Sequence, residues 1–322
     1  METYRRLSEL PEHAATVLTI GNFDGLHKGH LQVIEQLVDN ARERNLPAVV
    51  ITFHPHPRRI LNKGKAAQDL IVTLDKKLEL LESAGVDRCL VVPFDEQFSA
   101  VTAQEFLESV IIKRFHPELI VVGFDHHFGH RREGDLEFLQ SMASKFQFTV
   151  EVVEEVNSGA LAINSTRIRE LLKAGDLVPA RELLGWTYEI PVRIIEGSGR
   201  GRKINFPTAN FIPDNPSQLI PGNGVYIVST QVENKNYFGM CNIGYRPTFE
   251  GTSLGLEAHF FDWSGGEMYD MSLIIKFYHR IRDEQKFNSV VELQTQLRSD
   301  KEFSLKWISN NREKEIVNAS IK

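Results

Sequence analysis

Cysteines and long apolar runs are scarce in this sequence. Only Cys89 and Cys241 occur among 322 residues, which excludes a disulfide framework and is typical of a reducing compartment. No apolar run approaches the roughly 18 residues of a membrane span, and no apolar stretch follows the charged N-terminus as in a secretory signal. We therefore expect a cytoplasmic protein that does not enter a membrane.

An excess of positive charge is also absent. The chain has 37 lysines and arginines against 43 aspartates and glutamates, which gives a formal net charge of -6. Proteins that bind the nucleic-acid backbone neutralise its phosphates with basic residues, so this class is disfavoured. A local basic pocket for a small phosphate compound is still compatible with the charge, and no obligate protein partner is indicated.

Two common nucleotide-binding motifs are missing as well. The only Gly-Lys pair, Gly64-Lys65, is followed by Ala66, so there is no Gly-x-x-x-x-Gly-Lys-Ser/Thr loop. No Gly-x-Gly-x-x-Gly follows the first apolar run either. P-loop folds and ordinary dinucleotide-binding folds are therefore poor fits.

The first half of the chain alternates short apolar runs with amphipathic stretches. The runs are rich in β-branched residues and comprise Val17–Phe23, Ala48–Phe53, Cys89–Phe94, Leu119–Phe124 and Phe148–Val156. Nearly continuous runs of this length are typical of strands buried on both faces of a parallel sheet. We predict a doubly wound α/β domain over residues 1–185, with ligands bound beyond the carboxyl ends of its strands.

The pattern of apolar residues changes after the helical stretch Ala180–Leu184, which ends at the predicted C-cap residue Gly185. Strand-like runs separated by turn residues follow: Tyr188–Glu196, Gly224–Val232, Asn236–Ile243, Leu256–Trp263 and Met271–Ile281. Such strands without intervening helices predict a small antiparallel β-barrel or sandwich over residues 186–322, and helical spacing resumes near Ser289. Two domains also agree with the usual length of about 150 residues each.

The strongest motif of the first half is the segment Gly21–His30, which follows a predicted strand and opens a predicted helix. A helix N-terminus offers free N–H groups and partial positive charge to an anion, and Gly25 and Gly29 allow a close approach. His27 and His30 share a helix face and can donate hydrogen bonds to a phosphate as charge develops. The alternatives are a zinc site or two surface histidines, although His-Glu-x-x-His is absent.

The segment Asn164–Arg169 is a second candidate for anion binding. Ser165 or Thr166 can cap a helix there. Arg167 then lies in the first turn, where a cation opposes the helix dipole unless an anion is bound nearby. An ordinary capped surface helix explains the segment equally well.

Two further segments follow predicted strand ends. Asp125, in Val122–Gly129, can bind ribose hydroxyls or a base edge, although a structural turn is a serious alternative. The segment Thr52–Pro57 is stiff and flanked by an aromatic residue. It forms either a platform for a flat ring or only a rigid exit from the strand.

In the second half, the glycine-rich segment Gly197–Arg202 leaves a predicted strand and can form an anion-binding nest or a flexible connection. Thr208 and Asn210 lie just beyond it and offer oxygen atoms that suit Mg²⁺ bridging substrate phosphates. Glu257 places one carboxylate in an otherwise apolar strand, where a solvated outward position is the simpler explanation.

Together these motifs resemble a known family. The turn Gly21–His30 and the segment Ser165–Arg169 are similar to the nucleotidylyltransferase superfamily. The chain from about Val17 to Asp300 resembles the prokaryotic bifunctional riboflavin kinases/FMN adenylyltransferases, or FAD synthetases. The resemblance implies a Rossmann-like first domain that joins ATP and FMN to give FAD and pyrophosphate, and a barrel that phosphorylates riboflavin. Riboflavin, FMN, FAD and ATP are then substrates and products, and Mg²⁺ accompanies ATP.

The resemblance also implies roles for individual residues of the first domain. His27, His30 and Arg167 offset charge on the triphosphate. Further positions bind ATP, namely Gly21, Phe23, Gly25, Gly29, Asp125, Ser165 and Thr166. The flavin of FMN is held by Phe53, His54, Pro55 and Pro57.

In the second domain the resemblance places the catalytic base at Glu257 and flavin binding at Arg280. ATP binds at Gly199, Gly201, Thr208 and Asn210, with Thr208 as a Mg²⁺ ligand and Asn210 as a further candidate ligand. Arg246, Arg282, Glu284 and Phe287 also match the family without roles that can be assigned.

Three positions depart from the family's pattern. Asn164 stands where many members have Ser, and His126 replaces a common aromatic residue. Asn205 stands where Gly is common, and we expect it to keep the turn because Asn tolerates left-handed backbone geometry.

Two other functions are alternatives to this one. One is a nucleotidylyltransferase for another phosphorylated acceptor with a non-catalytic barrel, against which Glu257 and Pro207–Asn210 argue. The other is a flavin-binding or flavin-sensing protein without turnover, against which the presence of His27, His30, Thr208 and Glu257 argues.

Overall fold

The computed structural model describes residues 1–10, 15–61, 69–155, 157–158, 161–197, 199, 201–248, 251–263 and 268–318. Ser198, Arg200, Phe249 and the Gly64-Lys65 pair lie outside the described residues. The chain forms two compact units, Met1–Ser165 and Thr166–Lys322. The boundary expected between Gly185 and Trp186 stays a prediction.

The first unit contains a six-stranded parallel sheet in the order β1-β4-β3-β2-β5-β6. Its strands are β1 (Glu2–Tyr4), β2 (Thr16–Ile20), β3 (Ala48–His54), β4 (Arg88–Pro93), β5 (Pro117–Gly123) and β6 (Thr149–Val153). Its helices are α1 (Lys28–Arg44), α2 (Pro57–Leu61), α3 (Leu74–Ser83), α4 (Ala103–Phe106), α5 (Lys113–Phe115) and α6 (Leu136–Phe146). A π-helical stretch, Leu107–Ile112, joins α4 to α5, and a short ribbon pairs β7 (Asn157–Ser158) with β8 (Leu161–Ala162).

Successive strand residues face opposite sides of this sheet, and each side has its own apolar core. Leu18 and Ile51 pack with Phe106 on one side, while Val17 and Val50 pack with residues of α1 and α3 on the other. This two-sided burial explains the nearly continuous apolar runs and confirms the predicted doubly wound fold.

The second unit is built on a closed antiparallel barrel in the order β10-β13-β12-β11-β14-β9. Its strands are β9 (Glu189–Ile195), β10 (Ala209–Pro213), β11 (Gly224–Val232), β12 (Lys235–Thr248), β13 (Gly251–Phe260) and β14 (Ser272–Arg282). The helices are α7 (Ser165–Ala174), α8 (Leu177–Leu184) and α9 (Val290–Asn318). The structure confirms the predicted barrel and adds β10, which no apolar run had indicated.

One face of the barrel is covered by α9. Met240 and Tyr278 pack there with Ile308 of the helix and with Phe206 from the segment before β10. Within the described residues, no helix combines the length and the apolar character that crossing a membrane requires.

The helices α7 and α8 belong to the same compact unit as the barrel. Gly222 donates from its N–H to the carbonyl of Leu172 at 3.0 Å. A Cβ on Gly175 would lie 2.5 Å from the hydroxyl oxygen of Tyr226, so the turn between the two helices is seated directly on β11. The predicted cap at Gly185 is present, with φ 83° and an N–H that donates to Arg181 at 2.8 Å.

These contacts predict that a fragment starting at Thr166 is more stable than one starting at Trp186. The shorter fragment exposes the apolar surface on which α7 and α8 pack, so we expect its Tm to be lower by at least about 5 °C. Thermal unfolding followed by tryptophan fluorescence measures this, because Trp186, Trp263 and Trp307 are present in both fragments. Equal Tm values would show that α7 and α8 add nothing to the barrel.

Candidate active sites

The turn between β2 and α1 has an unusual backbone. Phe23, Gly25 and Leu26 have φ values of 47°, 86° and 34°. Bulky residues rarely adopt such values, and they persist only where the surrounding structure enforces them. Phe23 therefore lies in the turn, and the strand ends at Ile20, three residues before the predicted end.

His27 and His30 are in direct contact at the start of α1. His27 caps the helix, because its Nδ1 accepts a hydrogen bond from the N–H of His30 at 3.3 Å. In the neutral ring the proton is then on Nε2. The two rings are stacked with centroids 3.7 Å apart, and a Cβ on Gly29 would lie 3.3 Å from the His27 ring.

His30 is kept neutral by its surroundings. Its pKa lies well below the ordinary value of 6.5, chiefly because of burial and additionally because of the nearby His27 and Lys77. Among the described residues its buried Nδ1 has no hydrogen-bond partner. The ring edge of Phe23 packs against it at 5.5 Å between centroids.

Asp24, which the sequence analysis did not single out, is the central residue of the turn. Its buried carboxylate accepts a hydrogen bond from the N–H of Ile71 at 3.2 Å and lies 3.9 Å from Nε2 of His56. Its backbone carbonyl accepts a hydrogen bond from the Ser165 hydroxyl at 2.8 Å. No sequence pattern indicated its role, because its burial arises only in the folded chain.

Ser165, which makes this bond, is the last residue of the first compact unit. Thr166 and Arg167 follow directly in the chain, but they belong to the second compact unit. Their roles in binding the triphosphate stay predictions. Asp125 is exposed at the end of β5, the neighbour of β2, and its carboxylate would lie 3.7 Å from a Cβ on Gly123.

Phe53 belongs to a half-buried aromatic cluster at the end of β3. Its ring centroid lies 6.0 Å from that of Phe94, 5.9 Å from Phe98 and 6.2 Å from Phe106. His54, Pro55 and Pro57 continue from this strand into α2. The cluster offers an apolar surface of flat rings beside the exit from the strand.

In the barrel, strand register brings predicted kinase residues together. Asn210 of β10 lies opposite Glu257 of β13, and Glu257 lies opposite Asn242 of β12. Directly opposed residues point to the same side of a sheet, so the three side chains form a row. Thr208 precedes Asn210 by two residues and lies just before the start of β10.

Glycines leave room around Thr208 and Asn210. A Cβ on Gly197 would lie 1.9 Å from Nδ2 of Asn210, and one on Gly201 would lie 3.2 Å from the Thr208 hydroxyl oxygen. Gly199 has φ 65° and open space beside it. Asn205 has φ 59°, which confirms the expectation that Asn replaces Gly in this turn.

His259, also missed from the sequence, lies two residues after Glu257 on the same side of β13. Its Nδ1 is 2.7 Å from the carbonyl oxygen of Pro207, and its ring packs edge-on against Phe206. Burial lowers the pKa of His259, so the neutral ring can donate from Nδ1 and fix the segment that leads to Thr208.

The Arg280 side chain makes several contacts with other residues of the second unit. It donates to the carbonyl of Asn223, pairs with Asp283 at 2.8 Å, and lies where a Cβ on Gly175 or Gly224 would collide with it. These contacts favour a structural role for Arg280. Its contact with the flavin stays a prediction.

The structure shows contacts of Arg282 and Glu284 that the sequence did not predict. Arg282 forms a two-pronged ion pair with the buried Asp300 of α9 and lies over the ring of Phe287. A Cβ on Gly244 would lie 1.9 Å from a carboxylate oxygen of Glu284. A cavity of about 430 Å³ lies between the segment Gln285–Phe287 and the first turns of α9.

The depressed pKa of His30 predicts a pH dependence of stability. The unfolded chain binds a proton below about pH 6.5 that the folded chain does not, so stability falls as the pH falls below 6.5. His30→Gln should lose less stability between pH 6.5 and 5.5, by up to about 1 kcal/mol. Thermal unfolding by far-UV circular dichroism measures this, with His116→Asn as the control. Equal losses in parent and His30→Gln would contradict it.

Comparisons with known proteins agree with this arrangement. A family model for FAD synthetase matches residues 9–167, and one for riboflavin kinase matches residues 184–308. A bifunctional riboflavin kinase/FMN adenylyltransferase of Bacillus subtilis is 37% identical over 94% of this chain and 95% of its own length. The protein of the same name from Escherichia coli is 38% identical over 91% of this chain and 93% of its own.

A solved structure of similar fold is described as a macrolide-efflux protein from Streptococcus pneumoniae. It is 31% identical, has a TM-score of 0.86, and the match covers 95% of this chain and 98% of that one. Both compact units are thus reproduced in a single relative. From the full-length sequence matches, the chain belongs to the family of bifunctional riboflavin kinases/FMN adenylyltransferases.

Proposed function

We propose that each compact unit carries one of the two activities for which the relatives are named. The first unit transfers the adenylyl group of ATP to FMN, and the second phosphorylates riboflavin with ATP. The observation that carries this division is that each unit assembles its own set of polar motif residues, around His27 and His30 in one and around Glu257 in the other. A cytoplasmic location suits these substrates and stays a prediction.

In the first unit, an FMN phosphate oxygen attacks the α-phosphorus of ATP and pyrophosphate leaves. The start of α1 supplies N–H groups and partial positive charge for the triphosphate. Because His27 accepts on Nδ1, its Nε2–H is the atom that donates to a phosphate oxygen. Arg167 belongs to the second compact unit, and its part in offsetting charge on the triphosphate stays a prediction. No covalent intermediate on the protein is needed, since FMN is the nucleophile.

The aromatic cluster around Phe53 supports a flavin site in the same unit. Flat rings stack well on the faces and edges of aromatic side chains. The cluster lies at the carboxyl end of β3, adjacent to β2, where ligands of parallel sheets bind. An isoalloxazine ring held there leaves the ribityl phosphate to reach the turn after β2.

In the second unit, Glu257 accepts the proton of the riboflavin hydroxyl while the γ-phosphoryl group is transferred. Positioning and charge neutralisation supply most of the catalysis in such reactions, and one base orients the nucleophile. Asn210 and Asn242 flank Glu257 in register and hold polar groups beside it.

Mg²⁺ fits the donor atoms of the second unit. Thr208 and Asn210 offer oxygen atoms, and the space beside Gly199 is open, with no atom within 4 Å of a Cβ built there. These two residues would hold the ion together with substrate phosphates, and the ion would neutralise charge on the transferred group.

The division of labour predicts separable losses. Glu257→Gln removes the base but keeps the shape, so riboflavin phosphorylation should fall by roughly 10²–10⁴, while added FMN is still converted to FAD. His30→Ala should reduce FAD formation by roughly 10²–10³ and let FMN accumulate from riboflavin. Chromatography of flavins after incubation with riboflavin, ATP and Mg²⁺ measures both.

Glu233→Gln and His116→Asn are the matched controls, because both residues are exposed and lie outside the two sets. If Glu257→Gln stops both reactions in a folded protein, the sites are coupled and the division is wrong. If the parent forms neither FMN nor FAD, the proposed function itself fails.

The oxygen ligands and substrate phosphates predict weak metal binding in the absence of ATP. Among the described residues, no group of three or more His, Cys, Asp or Glu side chains is arranged to hold a metal ion. We expect little metal in the purified protein and full dependence of both reactions on added Mg²⁺. Elemental analysis checks this, and stoichiometric zinc bound at His27 and His30 would overturn it.

A further inference from the structure

Lys77 is a buried lysine that the proposed mechanism does not use. It lies on α3 with 6% of its surface exposed, on the same helix face as Leu74 and Leu81. Lysine is almost never fully buried unless its ammonium group is paired, because removing that charge from water is costly. Such a position in an apolar helix face needs a specific reason.

The hydrogen bonds of Lys77 lie at the carboxyl ends of β2 and β3, next to the candidate site. Its Nζ donates to the carbonyl of Asn22 at 2.7 Å and to the hydroxyl of Thr52 at 3.3 Å. The Thr52 hydroxyl also lies 3.4 Å from the Asn22 carbonyl oxygen. One ammonium group therefore joins the turn after β2 to the end of β3, immediately before the residues with positive φ.

The charged and titratable groups around Lys77 come from several elements. Burial lowers its pKa, while Asp24 of the turn and Cys89 of β4 oppose this. The charge of Lys77 also lowers the pKa of His30 and the pKa of His54. Its charge thus acts on the same ring that contacts His27.

We propose that Lys77 is a positioning residue for adenylyl transfer: by binding the Asn22 carbonyl from inside, it fixes the turn that seats His27 and His30. The inference rests on the proposed function of the first unit. The Lys77 ammonium group bonds to Asn22 and Thr52. It acts through the turn, whose backbone geometry bulky residues do not adopt without support.

The test compares Lys77→Met, which keeps the length of the stem and removes charge and donors, with Lys77→Arg, which keeps the charge. Lys76→Met is the matched control, since Lys76 is the neighbouring residue and pairs with Glu79. A displacement of about 1 Å in such a site costs on the order of 10²-fold in rate. We expect Lys77→Met to lower kcat/KM for FAD formation from FMN on that scale, with the loss mainly in kcat.

Two readouts separate positioning from general support of the fold. Riboflavin phosphorylation, which belongs to the other unit, should be unchanged. In an NMR titration of labelled histidines, the His30 midpoint should rise in Lys77→Met, because a cation near the ring is gone, and should return toward the parent value in Lys77→Arg. The His116 signal, from an exposed residue of the same unit, reports whether that unit is folded.

The outcomes are decisive in either direction. A large loss of FAD formation with a raised His30 midpoint and an unchanged His116 signal supports the proposal. Parental activity in Lys77→Met, an unchanged His30 midpoint, or loss of the His116 signal overturns it. If the parent forms no FAD, the proposed function fails. The His30 titration, together with calorimetric binding of inorganic pyrophosphate, still decides whether Lys77 shapes the turn.

Discussion

The buried carboxylate of Asp24 is the interaction on which the first unit's candidate site depends. This carboxylate accepts a hydrogen bond from the backbone N–H of Ile71 and lies 3.9 Å from Nε2 of His56. The backbone carbonyl of Asp24 accepts a hydrogen bond from the Ser165 hydroxyl. A carboxylate inside a protein is costly unless such partners surround it, so the partners and the carboxylate stabilise one another. The positive φ values at Phe23, Gly25 and Leu26 flank this residue. The Asp24 side chain therefore holds one part of the turn, and His27 and His30 follow that turn at the start of α1.

The second unit reaches a comparable result by a different route. Its polar row is carried by the strands themselves, because antiparallel pairing fixes Asn210 opposite Glu257 and Glu257 opposite Asn242. A closed barrel has no free edge along which these strands could slip, so the register is rigid. Only Thr208 and the glycines before it must be placed by a loop. Phosphoryl transfer depends mainly on positioning, and a rigid row of this kind suits it.

Much of this was readable from the sequence, for identifiable reasons. Strands buried on both faces leave long apolar runs, and a strained turn leaves glycines beside histidines. The strands β1 and β10 were missed because β1 is a largely exposed three-residue edge strand and β10 ends in a proline with Ile212 exposed. Asp24, Lys77 and His259 were missed because their roles arise from contacts with residues distant in the chain. Lys77 alone left a trace, as a charge in the apolar face of a helix.

Two buried imidazole nitrogens lower the stability of the first unit. Within the described residues, Nδ1 of His30 and Nε2 of His126 are buried without a hydrogen-bond partner. Each such atom costs about 1–3 kcal/mol, and folded proteins rarely accept that cost without a reason. The two histidines follow β2 and β5, which are neighbours in the sheet.

His126 also explains how a histidine can replace the aromatic residue that is common at its position. Burial lowers its pKa to about 4, so the ring is neutral at physiological pH. It packs against Phe128 with centroids 5.7 Å apart, as an aromatic side chain would. The substitution thus keeps the flat, uncharged ring and adds one nitrogen that can bond to a ligand.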